Sequence, residues 1–258
     1  MPFVKTGGKI LYYAHVPKCG GTSVEDYLIE RFGPMAMLDR HFNSREPGTR
    51  WTKTSPQHVD AESLEHILPP AFMDAVFTVV RHPVARAESA FHFQVNVEKS
   101  IPPDTGFSDW LQGQIDMQAA DRFVLDNHMR PQSDFVPEGA AVFHLENGLD
   151  ALIPWLDDFA GNAEGPRSIG HSNKRKSGGE KSTTPPRAKP SDADMAVLRE
   201  FYAADFERFG YMPETRKPKE ARPVLSEEFI RLRDRDLARR SSTVFKLQRK
   251  FQRWLNRP

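Results

Sequence analysis

A short apolar strand, a glycine loop and a helix follow one another near the start of the chain. Residues 9–16 (KILYYAHV) are aromatic and β-branched and stop at Pro17, which is typical of a buried strand. Residues 24–32 repeat apolar side chains at helical spacing, and Thr22 with Glu25 forms a capping-box pattern before them. This order constrains the fold most, because strand, tight loop and helix form the repeating unit of parallel α/β sheets.

Two further strand–helix pairs follow the same order. Residues 75–80 (AVFTVV) predict a strand, and Pro83 is well placed to open a helix that runs to about residue 98. Residues 141–145 predict a third strand before a helical pattern at 149–159. We therefore expect an α/β fold, a three-layer sandwich with a P-loop-like parallel sheet, whose ligands bind beyond the carboxyl ends of the strands.

The second half of the chain predicts a long loop and two helical stretches. Residues 161–190 are rich in Gly, Ser, Lys and Pro and predict a flexible basic loop. A helix is expected at 192–209, before Gly210. Proline and charge then predict a linker at 212–223 and a long basic helix at 227–255. The expected organisation is one catalytic-type domain over 1–211 and a linker with a basic amphipathic helix over 212–258.

Composition indicates a soluble globular protein. Of its 258 residues, 28% are charged and 38% hydrophobic, and no apolar run approaches the roughly 18 residues of a membrane span. Cys19 is the single cysteine, which excludes an intramolecular disulfide and a cysteine-rich metal site. The first residues lack a secretory pattern. We therefore expect a cytoplasmic location.

The loop at residues 15–23 (HVPKCGGTS) combines the features of an anion-binding site. A glycine pair lets the backbone approach a ligand closely, and the start of a helix presents N–H groups and a positive dipole end. Lys18 adds a cation, and Thr22 and Ser23 add hydroxyl donors. The loop is not a Walker A motif, because GK[ST] is absent and the lysine precedes the glycines. The pattern favours a phosphoryl or sulfuryl group and suggests no magnesium ligand.

Residues 79–91 (VVRHPVARAESAF) form a second candidate anion site. Arg81 follows a strand and Ser89 comes eight residues later, about two helical turns on. At this spacing an arginine fork and a hydroxyl converge on one phosphate. We expect Arg86 to support the loop through an ion pair and His82 to bind ligand rather than catalyse.

Together, and each after a strand, the two loops resemble those of sulfotransferases that use 3′-phosphoadenosine 5′-phosphosulfate (PAPS). The first is similar to H-[IV]-P-K-[TC]-G-G-[TS]-[ST] of the carbohydrate-type branch, which includes heparan sulfate uronosyl sulfotransferases and bacterial relatives. The second is similar to the family's Arg-x-Pro signature with a later serine. The resemblance spans residues 10–211 and is diffuse outside the loops. It implies metal-free transfer of a sulfuryl group from PAPS to a hydroxyl or amine, with 3′-phosphoadenosine 5′-phosphate (PAP) as product.

The resemblance also implies which residues bind the donor. Lys18 would stabilise the leaving phosphate, while Arg81 and Ser89 would bind the 3′-phosphate. Relatives often have threonine in place of Cys19, which indicates a small buried residue and not a nucleophile. A basic or polar segment closes over the nucleotide in the family, and residues 171–177 occupy that place here. The expected donor-binding set is Pro17, Lys18, Cys19, Gly20, Gly21, Thr22, Ser23, Arg81, Ser89, Asn173, Lys174 and Ser177.

His58 is the first candidate for the general base. It lies between the two signatures, where the uronosyl enzymes place a base histidine, and an imidazole is well matched to proton transfer near neutral pH. A capping or surface role for His58 is the alternative. His92 is the reserve, although packing beside its phenylalanine neighbours is expected there, and Glu62 or Glu65 stays open because many relatives use glutamate.

Three other positions receive roles from their place in the chain. His15 precedes the first loop and is expected to brace it. Arg130 and Gln132 belong to a polar cluster before the third strand, where they could contact the acceptor. A sugar hydroxyl is favoured as acceptor by the branch resemblance, while small alcohols, lipids and peptides stay open.

Two other functions compete with sulfuryl transfer. A nucleotide kinase on a degenerate P-loop is opposed by the missing GK[ST] and the missing magnesium ligand. A non-catalytic module that binds nucleotide or an acidic polymer would be localised by the basic C-terminal tail. Turnover, as opposed to binding of PAP alone, separates these from the enzyme.

The tail has a net positive charge and the rest of the chain a net negative one. Residues 212–258 hold 14 Lys/Arg against 6 Asp/Glu, a balance of +8, whereas residues 1–211 hold 22 against 29, a balance of −7. A basic amphipathic helix in this tail could bind an anionic membrane surface, the acidic body of the chain or a second protomer. Docking on the body is the preferred interpretation. Nothing in it resembles a nucleic-acid reading motif. The apolar stripe is Val244, Leu247, Phe251, Trp254 and Leu255.

Overall fold

The computed structural model describes residues 2–50, 52–170, 189–243, 245 and 247, and within them one four-stranded sheet in the order β1-β2-β3-β4. The strands are β1 (Phe3–Thr6), β2 (Lys9–Ala14), β3 (Ala75–Val80) and β4 (Ala141–His144). β1 pairs antiparallel with β2, and the other two pairs are parallel. The predicted α/β class is confirmed, and the sheet is mostly parallel.

Eight α-helices lie within these described ranges. They are α1 (Gly21–Phe32), α2 (Ala61–Ile67), α3 (Pro83–Phe93), α4 (Phe107–Ala120), α5 (Leu152–Ala160), α6 (Asp192–Phe201), α7 (Ala203–Arg208) and α8 (Glu227–Ser241). A π-helical turn, Gln94–Glu98, extends α3 as far as the sequence predicts. The helix expected at 192–209 is divided at Tyr202. The capping box was wrong: Gly20 is the N-cap of α1, and no side chain caps it.

Alternate side chains of β2 enter two separate apolar clusters. Leu11 and Tyr13 belong to the main core, whereas Tyr12 and Ala14 pack in a smaller cluster with Leu64 of α2. All four strand residues are buried, as expected when successive side chains of a strand point to opposite covered faces. Both faces of β2 are therefore covered. The three-layer and P-loop-like descriptions stay predictions.

The parallel pairing brings two strand ends to one edge of the sheet. Ala14, the last residue of β2, is level with Thr78 of β3, and the Thr78 hydroxyl donates to the Ala14 carbonyl at 2.7 Å. Val80 is level with His144 at the end of β4. The loops that follow β2 and β3 therefore leave the sheet as neighbours, which is the placement expected for a ligand site.

The C-terminal helix packs on the rest of the chain. Phe229 of α8 is buried in the main core, and Asp236 accepts a hydrogen bond from the Arg167 backbone N–H at 3.0 Å. Arg240 pairs with Glu30 of α1 at 3.0 Å. The start of the basic helix thus docks on the body. Val244, Phe251, Trp254 and Leu255 lie outside the described residues, and no helix within the described ranges is long and apolar enough to cross a membrane.

Arg86 on α3 is a fully buried side chain that holds the segment before the third predicted strand. Its guanidinium donates to the carbonyl oxygens of His128 (3.0 Å), Met129 (3.4 Å) and Arg130 (2.5 Å). It also lies over the Tyr202 ring, 5.2 Å from the centroid. Arg86 therefore supports this region through carbonyl groups and not through the ion pair expected from the sequence.

Replacing Arg86 by lysine tests this role. A lysine has a single ammonium in place of a planar fork, so Arg86→Lys leaves buried carbonyls without donors and should lower the free energy of unfolding by about 2–4 kcal/mol. Urea denaturation measures the change. Arg199→Lys is the matched control, because Arg199 pairs with Glu214 at the surface and should change stability by less than about 0.5 kcal/mol. Equal effects of the two substitutions would contradict the assignment.

Candidate active site

The loop between β2 and α1 presents the start of a helix toward the open edge of the sheet. Gly20 has φ 84° and Lys18 has φ 68°, so two residues of the turn lie in the left-handed region. That conformation is easy for glycine and unusual for lysine. The first N–H groups of α1 have no acceptor within the helix, which leaves the positive end of its dipole available to an anion.

Gly21, the first residue of α1, is packed directly against His15. A Cβ atom at Gly21 would lie 1.8 Å from Nε2 of His15, so only glycine fits beside this ring. Nδ1 of His15 lies 2.8 Å from the Glu25 carboxylate, which also pairs with Arg40. Burial lowers the pKa of His15, against the opposing effect of Glu25. Through these contacts with Gly21 and Glu25, His15 supports the loop from inside the protein, as the sequence predicts.

The second loop lies directly beside the first. Nη1 of Arg81 donates to the backbone carbonyl of Lys18 at 3.3 Å, so the two cationic residues share one edge of the sheet. Ser89 lies half-buried on α3, two turns further on. His82 is fully buried and its Nε2 contacts the Met212 carbonyl at 3.0 Å. His82 therefore holds the segment after α7, and the ligand contact expected of it was wrong.

Gln132 joins the two loops from inside the protein. Its side-chain oxygen accepts from the Arg81 backbone N–H at 2.9 Å and from the Cys19 thiol at 3.3 Å, and its amide nitrogen donates to the Arg81 carbonyl at 2.8 Å. The backbone N–H of Gln132 donates in turn to Asp205 at 2.9 Å. Gln132 is fully buried. It sets the distance between the loops and does not contact an acceptor.

Arg130 is also turned inward. It is 2% exposed and pairs with Asp60 at 3.0 Å and with Asp134 at 2.7 Å. The pair with Asp60 ties the segment before β4 to the start of α2, and the pair with Asp134 lies within that segment. The acceptor contact expected for Arg130 was therefore wrong, because the guanidinium faces carboxylates inside the fold.

The Lys18 ammonium occupies a largely apolar position. Its Nζ lies 3.4 Å from the centre of the Phe93 ring, a cation–π contact. Burial lowers the pKa of Lys18 to about 7, opposed by the nearby Glu98 carboxylate and reinforced by Arg81. Burial in turn raises the pKa of Glu98, and Lys18 opposes this. The lysine is thus only weakly held as a cation until another negative charge approaches it.

Three histidines meet below this lysine. The His58 ring lies 4.8 Å from that of His15 and 5.5 Å from that of His128, measured between centroids. Nδ1 of His58 is 2.8 Å from Oδ2 of Asp126. Burial lowers the pKa of His128 far below its ordinary value, and the neighbouring His58 and Lys18 lower it further. The sequence-predicted lysine and histidine therefore belong to one cluster.

His58, Asp126 and His128 are also the residues here that could hold a metal ion. Their ligand atoms all lie within 4.8 Å of one another. Two ligands of a tetrahedral zinc site, at about 2.0 Å from the ion, are about 3.3 Å apart. The 2.8 Å between His58 and Asp126 is shorter and matches a hydrogen bond, and the hydroxyl of Ser55 also donates to Asp126. The geometry fits a hydrogen-bonded pair better than a metal site.

A cleft of about 930 Å³ opens beside this cluster. Its wall includes Glu98 and Asp126, the carboxylates that lie next to Lys18 and His58. The rest of the lining is mixed, with polar side chains, two cations and three apolar residues: Asn43, Ser44, Arg50, Thr52, Lys53, Ser100, Asp121, Phe123, Val124 and Leu125. A polar ligand in this cleft would therefore lie near both Lys18 and His58.

The other predicted site residues are distributed as follows. Pro17, Cys19 and Ser23 are buried under the loop, and Thr22 is exposed at its surface. Asn173, Lys174 and Ser177 lie outside the described residues.

The alternative bases have surroundings different from those of His58. Glu62 is exposed and pairs with Arg122 at 2.6 Å, Glu65 is exposed on α2, and the ring of His92 lies against Phe91. Glu62 and Glu65 are exposed, so they fit the base role less well than the buried His58.

Sequence reasoning missed four residues of the cluster: Phe93, Glu98, Asp126 and His128. Asp126 and Asn127 did carry a signal, because Asp-Asn pairs tolerate left-handed backbone and mark turns. Nothing local links that turn to His58, which lies 68 residues earlier.

Substituting Gly21 tests the packing under the loop. Gly21→Ala forces the buried His15 ring to move and should destabilise the protein by about 1–3 kcal/mol. Gly113→Ala is the matched control: a Cβ there meets nothing within 4 Å, and alanine in the interior of α4 should stabilise by about 0.5–1 kcal/mol. Urea denaturation compares the variants. If both behave alike, the close approach of His15 to Gly21 is wrong.

Comparison with known proteins adds one match. The model described as "Sulfotransferase family" matches residues 2–212. No curated protein and no solved structure matches. The matched range contains both loops, His58, Asp126 and the cleft.

Proposed function

The chain belongs to the sulfotransferase family, and from this membership we propose that it transfers a sulfuryl group from PAPS to a hydroxyl, or an amine, of a carbohydrate acceptor. One observation carries the proposal. Arg81 donates to the Lys18 carbonyl, which places the two loops that resemble the family's donor loops side by side at one edge of the sheet. A nucleotide with two separate anionic groups needs two such sites in reach of each other.

The residues present fit the donor. No side chain caps the start of α1, so its first N–H groups are available to an anion. Lys18 lies at that end, while Arg81 and Ser89 offer a guanidinium and a hydroxyl for the 3′-phosphate. Thr22 adds an exposed hydroxyl on the first turn.

Lys18 would stabilise the charge that develops as transfer proceeds. PAPS supplies the sulfuryl group: sulfur gains the acceptor oxygen and loses the oxygen that bridges to the 5′-phosphate, which leaves PAP. An ammonium near the bridging oxygen binds the transition state more tightly than the ground state, because negative charge accumulates there. Lys18 moves off the Phe93 ring to reach this position.

His58 would accept the acceptor's proton. It belongs to the same cluster as Lys18 and adjoins the cleft through Asp126. The mixed lining of the cleft, with polar side chains beside the Phe123 ring, supports a carbohydrate, because sugars combine many hydroxyls with apolar faces. The acceptor hydroxyl loses its proton to His58 as its oxygen attacks sulfur.

Binding without turnover is the main alternative. A module that only holds PAP or an acidic polymer needs Lys18 and Arg81 but has no use for a histidine beside the cleft. The kinase alternative is weakened by the family match. A cytoplasmic location, a homodimer and membrane contact by the tail stay predictions.

Transfer from labelled PAPS to a panel of glycans, alcohols and amines tests the function. We expect sulfated product from a glycan, and His58→Gln should lower kcat by about 10²–10⁴ while PAP binding is retained. Lys18→Ala should lose most activity with the fold intact. His66→Gln is the matched control, since His66 is exposed on α2. PAP binding without any transfer would establish the non-catalytic alternative.

Donor binding should also consume a proton. Burial lowers the pKa of Lys18 to about 7, so at pH 8 most of the unliganded protein has a neutral amine there. A phosphate beside it raises that pKa again, and PAP, already fully ionised at pH 8, cannot supply the proton. Calorimetry in buffers of different ionisation enthalpy should show uptake of close to one proton per PAP. Lys18→Arg, always charged, should show none, and equal enthalpies for the wild type would disprove the shift.

A further inference from the structure

Three consecutive residues next to His58 adopt left-handed backbone. Leu125, Asp126 and Asn127 have φ of 52°, 53° and 62°. Left-handed helical conformation costs about 1–2 kcal/mol for each residue that is not glycine, so surrounding contacts must hold such a turn. Strain of this kind gathers at functional sites. The turn places the side chain of Asp126 next to the His58 ring.

Asp126 ties together the short helical turn that carries His58. Its Oδ1 accepts the Ser55 backbone N–H at 2.6 Å, and its Oδ2 accepts the Ser55 hydroxyl at 2.9 Å. The same Oδ2 lies 2.8 Å from Nδ1 of His58, and Asn127 donates to the His58 carbonyl at 2.9 Å. Both the ring and the backbone of His58 are therefore held by the left-handed turn.

We propose that Asp126 is the positioning residue that keeps the Nδ1 proton on His58 and leaves Nε2 free to act as the base. The inference rests on the proposed function for its catalytic meaning, but the proton position stands by itself. An ionised carboxylate can only accept a hydrogen bond, so Nδ1 of a neutral imidazole beside it must carry the hydrogen. The lone pair then lies on Nε2, the ring atom remote from Asp126.

The carboxylate stays ionised although it is buried. Burial raises the pKa of Asp126, but His58, His128 and the Ser55 N–H together hold it well below its usual range. The other charged groups that act on the cluster include Lys18, Glu25, Glu98 and Arg86. Asp126 therefore acts as a fixed acceptor across the neutral range.

A purely structural role makes a different prediction from a positioning role. If Asp126 only fastens Ser55 to the turn, its substitution costs stability and leaves the proton of His58 where it was. If it positions the base, replacing the carboxylate by an amide of the same shape moves the ring proton of His58 from Nδ1 to Nε2. Asp126→Asn separates these two outcomes.

The substitution has a defined outcome because Ser55 fixes the orientation of the new side chain. The Ser55 backbone N–H, at 2.6 Å, needs an oxygen at the Oδ1 position. The amide nitrogen of Asn then faces His58, whose Nδ1 must accept, so the ring proton moves to Nε2. The analogous change in a serine protease triad lowers kcat by about 10⁴ through the wrong tautomer.

The experiment combines kinetics with NMR of histidine labelled with ¹⁵N in the ring. Wild-type His58 should show the Nδ1–H tautomer when neutral, and Asp126→Asn should show Nε2–H. The variant should lower kcat by about 10³–10⁴ with the KM for PAPS unchanged. Asp60→Asn is the matched control: Asp60 is a buried carboxylate that caps α2 and pairs with Arg130, and its substitution should leave the His58 tautomer and kcat unchanged.

Two results would overturn the proposal. One is a wild-type His58 that is neutral in the Nε2–H form, which needs no variant and is decisive even if Asp126→Asn fails to fold. The other is an Asp126→Asn protein that folds and keeps the wild-type tautomer. If the wild type transfers no sulfuryl group to any acceptor, the proposed function fails, whereas the tautomer measurement still decides the role of Asp126.

Discussion

The buried amide of Gln132 is the contact on which the geometry of the site depends. The Gln132 side chain forms hydrogen bonds with the N–H and the carbonyl of Arg81 and with the Cys19 thiol. The backbone N–H of Gln132 donates to Asp205. Lys18 and Arg81 repel each other, so loops that carry them need a neutral or negative partner to stay close. The amide and the Lys18 carbonyl supply this partner without neutralising either cation. The charge of Arg81 thus stays available to a ligand, and Lys18 regains its full charge when an anion approaches.

The elements that could be predicted are those with a clear local pattern of apolar residues. Three strands and the helices after them follow from short apolar runs and helical spacing. β1 was missed, although Gly7 and Gly8 between it and β2 are a hairpin signal that reasoning about parallel sheets overlooked. The start of α1 was misplaced because Gly20, with φ 84°, ends the loop before Thr22 is reached. Local patterns fix the identity of an element better than its first residue.

The site divides in the same way. Lys18, Arg81 and His58 were predicted as site residues because they lie in or between sequence motifs, and these roles stay predictions. Gln132 was misassigned, since a polar residue in a Pro-Gln-Ser turn has the pattern of a surface loop, and only its distant partners explain its burial. Asp126 was not predicted for a related reason. Its partner is 68 residues away, and a contact at that separation leaves no periodicity to read.

Positive and negative side chains lie on different sides of the site, and this separation affects where an anionic ligand can bind. Lys18 and Arg81 lie together at the start of α1, whereas Glu25, Glu98 and Asp126 surround the histidines. An anion therefore meets attraction on the side of the loops and repulsion on the side of the histidines. A carboxylate that holds a neutral imidazole repels a second anion yet stabilises the imidazolium formed when a proton arrives. Under the proposed function, the nucleotide would be attracted to the loops and the acceptor hydroxyl would lie on the side of the histidines.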